Sequence, residues 1–412
     1  MKRGLQLLLT AILVATSVQA AVSTDGNATD SSRADIRLDG SLYFINNETP
    51  GSTRMDGYTL PGFYMRPHLN WQLDHHTTLQ AGVHWVHFWG NDTHNDSNGI
   101  SWLGGTNDST KPTQVLPWLQ ARIAIDKHIT AIIGSLENSD GHRLPLPLYN
   151  PERLLAGTPE AGVQMKVDNT WLHLDMWVDW RKFIWQRSLK REQLHAGVSA
   201  EPTASVSGWQ IHMPLHIIWQ HLGGEGRIDT LQKIEHRVNM AGGLGASTQI
   251  GTVALRADCM LIGYWRNGQP EQQLTYTNTA GAAILTSDPI NFKSGLGIYP
   301  RLTLTWKKLW VETSYWNSRK FVPVLGVPHY SNLSFNTEKM THDRIQVITL
   351  RTHVNLTETT RSSLAFEGAV YYYLPFKADR TGYTKVDGKS GVMYTYSLIA
   401  RIHPRLPIKA FR

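Results

Sequence analysis

From Phe63 to Trp85 the chain alternates apolar and polar side chains, and this period of two constrains its fold more than any other feature. Phe63, Met65, Pro67, Leu69 and Trp71 alternate with Tyr64, Arg66, His68, Asn70 and Gln72. After the polar break Asp74-His75-His76, Leu79, Ala81, Val83 and Trp85 alternate with Gln80, Gly82 and His84. The pattern predicts strands with one apolar and one polar face, joined as a hairpin across a short polar turn. The unit recurs at 115–125 with 129–135, 161–167 with 172–184, and 194–200 with 209–219, the last turning near Glu201-Pro202. It recurs again at 238–246 with 253–261, 296–306 with 309–315 across Lys307-Lys308, and 348–356 with 364–372. Lone strands at 36–44 and 392–402 bring the expected number to sixteen.

The short turns alternate with long connections such as 90–114, 136–160, 264–294 and 317–343. That is the plan of an outer-membrane barrel with periplasmic turns and extracellular loops. The expected fold is therefore all-β: a transmembrane, antiparallel, up-and-down β-barrel of sixteen strands with both termini periplasmic. Aromatics crowd the strand ends, among them Tyr58, Trp71, Trp89, Trp118, Trp171, Trp209, Trp306 and Tyr372, as in the aromatic belts of membrane barrels. Against a soluble sandwich stand the faces opposite the apolar rows, which carry arginines that a dry core does not accept unpaired. Residues 1–20 have the basic start, apolar stretch and Val18-Gln19-Ala20 ending of a signal peptide. Residues 21–34 form a flexible polar lead-in, and 35–412 the barrel. The single Cys259 permits no internal disulfide. Past the signal peptide no apolar run is long enough for a membrane helix.

The stretches GYTLPGFYMRPHLNWQLD, TLQAGVHWVHFWG, PWLQARIAI, LPLYNPERLLAGTPEAGVQMKVD and LDMWVDWRKFIWQ resemble a family of exported, porin-like outer-membrane barrels from Bacteroidota. The resemblance is best over residues 35–200. It implies a barrel in the outer membrane of a Gram-negative bacterium and supplies no catalytic residues. The chain departs from the usual barrel ending in that Phe411 is followed by Arg412.

With the apolar rows toward lipid, the alternate rows face the lumen. On that parity the pore is lined by Arg66, Arg122, Lys166, Arg181, Arg256, Arg301, Arg351 and Arg401, against Asp175, Asp179, Asp258, Glu312 and Glu367. Basic groups outnumber acidic ones, and rings of Arg and Lys favour anions. Some must pair as Arg–carboxylate bridges that brace the wall. Loop 136–160 is the candidate constriction, with Leu144, Leu148, Tyr149, Glu152 and Arg153 placed to narrow the lumen. Its prolines stiffen it, and Pro151-Glu152-Arg153 begins a short helix capped by Asn150.

The residues point to passive diffusion of small hydrophilic, preferentially anionic solutes. The alternatives are a barrel whose long loops bind a glycan or protein partner, and a barrel-embedded hydrolase. An open lumen favours the first, a plugged lumen the second and a buried Ser–His contact the third. No HExxH, paired CxxC or GxSxG occurs. On the lipid-facing rows Ser135, Thr313 and Thr352 have only His87 as a possible base, and strands three and five are not neighbours. The expectation is no enzyme, no cofactor and no metal. His212 and His216 lie too far apart on one strand to share an ion, and His84 and His87 point to opposite faces. The Asn- and Asp-rich loop 91–109 lacks the downstream glutamate of a calcium loop. Expected partners are outer-membrane lipid, small hydrophilic solutes and barrel-assembly machinery, with no nucleic acid. The chain is expected to be a monomer or a homotrimer.

Overall fold

The computed structural model describes residues 33–90 except 51, 53 and 56, and then 112–183, 192–223, 234–267, 274–277, 283–286, 292–334, 341–380, 383–388 and 391–407. The signal peptide, most of the lead-in, loop 91–109 and the Phe411-Arg412 ending lie outside the described residues. Sixteen wall strands follow one another: β1 Arg33–Glu48, β2 Tyr58–Gln72, β3 Thr77–Phe88, β4 Thr113–Ala124, β5 Ile129–Ser135, β6 Ala161–Asp168, β7 Leu172–Lys182 and β8 Glu192–Val206. Next come β9, in two pieces Trp209–His212 and Leu215–Gly223, then β10 Glu235–Ile250, β11 Val253–Asn267 and β12 Ser294–Trp306. The last four are β13 Leu309–Arg319, β14 Arg344–Glu358, β15 Ser362–Tyr373 and β16, in two pieces Gly391–Ile402 and Arg405–Pro407.

Each strand pairs antiparallel with the next, and β16 pairs with β1, closing the barrel. All sixteen expected strands are present. One turn differs: the β8–β9 hairpin turns at Ser207-Gly208, both with positive φ (49° and 81°), not at Glu201-Pro202. A two-residue turn with both φ values positive matches the twist of the flanking strands, and glycine takes that backbone without penalty. Pro202 instead stays inside β8, opposite Leu172, and its carbonyl accepts the Met213 N–H at the point where Pro214 breaks β9. Proline's missing N–H is tolerated there because the ladder is already interrupted.

The outward rows are apolar and exposed, for example Leu42, Phe44, Trp85, Leu119, Val163, Leu261, Leu302, Leu350 and Leu398. The inward rows between them carry the charged and polar residues, which is the inverse of a soluble core and the surface of a barrel in lipid.

The lumen is filled largely by loop. Leu148, Tyr149, Phe321, Val322, Leu325, Val327 and Tyr330 are buried against the inward wall residues Ile218, Tyr264, Tyr299, Trp316, Val347 and Tyr371. Residues 136–160 and 320–334 therefore fold into the barrel, and they meet at a parallel bridge between Tyr149 and Leu325. Trp316 is the anchor of this packing. It is fully buried, donates its indole N–H to the Tyr330 carbonyl at 2.9 Å, and meets Phe321 and Tyr330 edge-on. Its ring lies over Gly297 of β12, where an added Cβ would stand 2.3 Å from the indole. Trp316→Ala is expected to lower unfolding stability by about 3–5 kcal/mol, the usual cost of truncating a buried tryptophan. Thermal unfolding followed by circular dichroism reads this; a loss below about 1 kcal/mol would show that the loops do not bear on the wall there.

Candidate functional site

Loop 136–160 runs from one side of the lumen to the other. At its start His142 inserts between two carboxylates, Nε2 2.7 Å from Glu160 and Nδ1 2.8 Å from Asp175 of β7, with its ring stacked on Trp177 at 3.7 Å. A ring that faces a carboxylate at both nitrogens donates from both and is an imidazolium. Burial lowers its pKa, but the Glu160 and Asp175 carboxylates outweigh that and raise it to about 9. Burial likewise opposes Glu160, yet the His142 cation holds its carboxyl below the usual range. His142 and Arg143 both sit in the left-handed backbone region, at φ 54° and 56°, so the ion pair is made at a backbone cost. Gly197 of β8 makes room for this arrangement, since an added Cβ would stand 2.1 Å from Trp177.

At the far end the short helix Arg153–Ala156 packs Leu155 and Ala156 against Tyr43, Ile45, Leu60, Val86 and Ile399 of the opposite wall. The helix starts at Arg153 with Glu152 in the cap position, not at Pro151 with Asn150 as cap; the Asn150 side chain instead accepts the Glu152 N–H in the turn before it. Glu152 accepts from Asn47 and Tyr58. Of the constriction residues, Leu148 and Tyr149 are buried in the loop packing, Leu144 lies at its edge, and the Arg153 guanidinium stands 5.9 Å from the Tyr149 ring.

The thirteen positions expected to line a pore all alternate with the exposed apolar rows and so point inward. Most are paired: Arg256 with Glu201 and Asp258, Arg301 with Asp258 and Glu312, Arg351 with Glu312, and Arg181 with Asp179. Glu137 takes both Arg122 and Lys166. The sequence count of lumen charge omitted Asp39, Glu137, Glu160, Glu201 and Glu235, which also line or enter the interior. A cavity of about 930 Å³ remains between the loops and the wall of β1–β4 and β13–β16, lined by Arg66, His84, Trp118, Arg351, Glu367 and Arg401 among others.

Two hydroxyl–imidazole contacts stand out. Inside, Ser199 Oγ of β8 lies 3.1 Å from His216 Nδ1 of β9, but Ser199 is only 1% exposed. Outside, His87 Nδ1 of β3 lies 2.6 Å from Thr113 Oγ1 of β4, on the lipid-facing row at the long-loop end, and Thr113 is exposed. Phe63, Trp85 and Trp89 surround it, with Phe63 5.5 Å and Trp89 5.9 Å from the imidazole. On the same rim Asn46 accepts from Thr59 at 2.6 Å and donates to Glu48 and to Tyr396. Sequence reasoning placed His87 outward correctly. It missed Thr113 because the strand was started at Val115, two residues late. Ser199 escaped because a cross-strand partner leaves no mark in linear spacing. Among the described residues no cluster of three metal-ligating side chains occurs.

A family profile described as lipid A 3′-O-deacylase-type matches residues 26–411. That match overturns the expectation that the chain is not an enzyme. No curated protein matches the chain. Among solved structures the chain is similar to Acinetobacter baumannii OccAB1 at 9% identity, covering 90% of this chain and 97% of that one, with a TM-score of 0.49. It is similar to A. baumannii OccAB4 at 10% identity, 92% and 100% coverage and a TM-score of 0.48. Pseudomonas aeruginosa OccK2 (OpdF), solved in complex with glucuronate, aligns at 10% identity, 91% and 98% coverage and a TM-score of 0.45.

Proposed function

The chain belongs to the lipid A 3′-O-deacylase-type family, and from that premise we propose that it is an outer-membrane acyl-ester hydrolase that removes a 3′-O-linked acyl chain from a lipid A-type glycolipid. The observation that carries the reading to particular residues is the exposed His87–Thr113 contact on the lipid-facing rim. A glycolipid keeps its ester at the level of the aromatic belt, with its acyl chains in the bilayer. A hydroxyl on the outward rim reaches that ester without leaving the membrane interface, whereas Ser199 is buried on an inward row. Thr113 Oγ1 attacks the ester carbonyl carbon as His87 Nδ1 takes its proton. The imidazole returns the proton to the departing sugar oxygen, leaving an acyl-threonine. Water, deprotonated by the same imidazole, then releases the fatty acid and restores the hydroxyl.

The test is fatty-acid release from purified hexa-acylated lipid A by the folded barrel in detergent, read by mass spectrometry of the remaining glycolipid. Loss of one 3′-O-acyl chain is expected. An intact glycolipid after exposure to a fully folded barrel would overturn the reading.

A second reading, passage of small anions along the lumen, is favoured by the cavity of about 930 Å³ and its arginines. On this reading, deletion of 138–158 raises single-channel conductance several-fold in a planar bilayer. Unchanged conductance would dismiss it.

A further inference from the structure

Two guanidiniums on the cavity wall differ from the rest of the inward arginines. Arg66 of β2 and Arg401 of β16 make no ion pair among the described residues. The carboxylates nearest them are engaged elsewhere: Asp39 accepts from His403 at 3.0 Å, and Glu367 meets His353 at 3.0 Å. Both arginines line the same cavity. They flank β1, Arg401 paired in register with Ser41 and Arg66 with Asp39, so each stands one strand spacing, about 4.8 Å, to either side. Tyr64, two residues before Arg66 on β2, lies within electrostatic reach of both.

The surrounding polar atoms point the same way. Arg66 stacks its guanidinium on Trp118 at 3.7 Å, which fixes its plane, while its Nε is buried without a partner. An Arg66 Nη lies 3.4 Å from His84 Nδ1. A guanidinium only donates, so Nδ1 accepts and the ring proton sits on Nε2. His84 is buried, and that Nε2–H has no partner. The buried Ser41 hydroxyl of β1, in register with Arg401 and behind the cavity lining, has none either. Buried donors without acceptors are costly, and those of Arg66 and His84 stand together on one cavity wall, so they call for an acceptor from outside the chain.

We infer that Arg66, Arg401 and His84 form an oxyanion site inside the lumen, built for a phosphate or carboxylate group. A planar, fixed guanidinium suits such a group through paired N–H donors. The site is separate from the lipid-facing rim and does not rest on hydrolysis; it gives the second reading of function a specific stopping point for its solute. The oxyanion arrives either as a free solute through the lumen or as the headgroup phosphate of a membrane lipid.

Equilibrium binding of inorganic phosphate and of gluconate to the purified full-length barrel, followed by quenching of tryptophan emission and by calorimetry, tests the site. Saturable binding is expected, weakened tenfold or more in Arg66→Gln and in Arg401→Gln, and unchanged in Arg122→Gln, whose guanidinium is held by Glu137. Gel migration with and without heating shows whether each variant barrel is folded; should Arg66→Gln misfold, Arg401→Gln decides alone. Binding of the free anions assigns a solute. Binding only of phosphorylated lipid in mixed micelles, with the same loss in the folded variants, assigns a headgroup. No binding of either, or equal binding by a folded Arg401→Gln variant, overturns the inference.

Discussion

Replacing His87 with asparagine is expected to lower acyl release from lipid A at least about a hundredfold while leaving the barrel folded, because a positioned base contributes about 10²–10⁴ to such a step. Asparagine keeps the side chain polar and of similar reach on a half-buried, lipid-facing position, so stability should hardly move. Thr113→Ala should match His87→Asn, and the double variant should be no worse than either, since nucleophile and base act as one unit. The comparison that decides the site is with the lumen. Ser199→Ala and His216→Asn should leave release within about twofold, because both side chains are buried on inward rows away from lipid. A result with the two pairs exchanged would move the chemistry into the lumen. Phe63→Ala and Trp89→Ala should raise KM more than they lower kcat, since the aromatic surround holds the lipid rather than the reacting atoms.

The second large effect is on the loop latch at His142. His142→Ala leaves Glu160 and Asp175 buried with the cation gone, and breaking a buried pair in this way costs about 3–5 kcal/mol. Loop 136–160 should then leave the wall, open to added protease, with a fall in thermal stability. The pH dependence has a definite sign. The folded-state pKa of His142 is raised from 6.5 to about 9, so its contribution is complete below pH 6.5 and is lost as pH rises through 9. Glu160 is held at about 2 against an ordinary 4.5, so its contribution is complete above 4.5 and is lost toward 2. The latch is therefore strongest between pH 4.5 and 6.5. Protease cleavage within 136–160 should accelerate above pH 9 in the native protein and be fast and pH-independent in His142→Ala. Equal cleavage of the two at pH 6 would show that the ion pair does not hold the loop.

The wall was legible because each strand faces lipid on one side and polar lumen on the other, so the period of two appears without help from tertiary context. The β8–β9 turn was misplaced for the same reason in reverse: Pro202 punctuates strongly, and only the break at Pro214 in the partner strand makes it tolerable inside β8. Loop packing was half legible. The stiff, apolar character of 144–155 marked it as a loop that does not belong in water. The stretch Val322-Pro323-Val324-Leu325-Gly326-Val327 carries the same signal in the loop after β13. The candidate hydrolase pair was not legible, because it joins residues 26 apart on strands whose ends the sequence left uncertain by two positions. Pairing across strands is set by register, and register is fixed by the whole barrel.

Closure through β1 and β16 also dictates the order in which this protein can assemble. The seam joins residues more than 300 apart, among them Asn46 to Tyr396 on the rim and Asn47 to Thr395 just inside it. Until the last strand arrives, both β1 and β15 are open edges able to recruit any other strand. Contacts of such sequence separation form late and slowly. The rim around Thr59 is thus completed only by the final event of folding, so a chain still in transit carries the β3–β4 pair without its finished surroundings. Shortening the chain at β16 would remove the seam as a whole, and what remains would be an adhesive sheet rather than a smaller barrel.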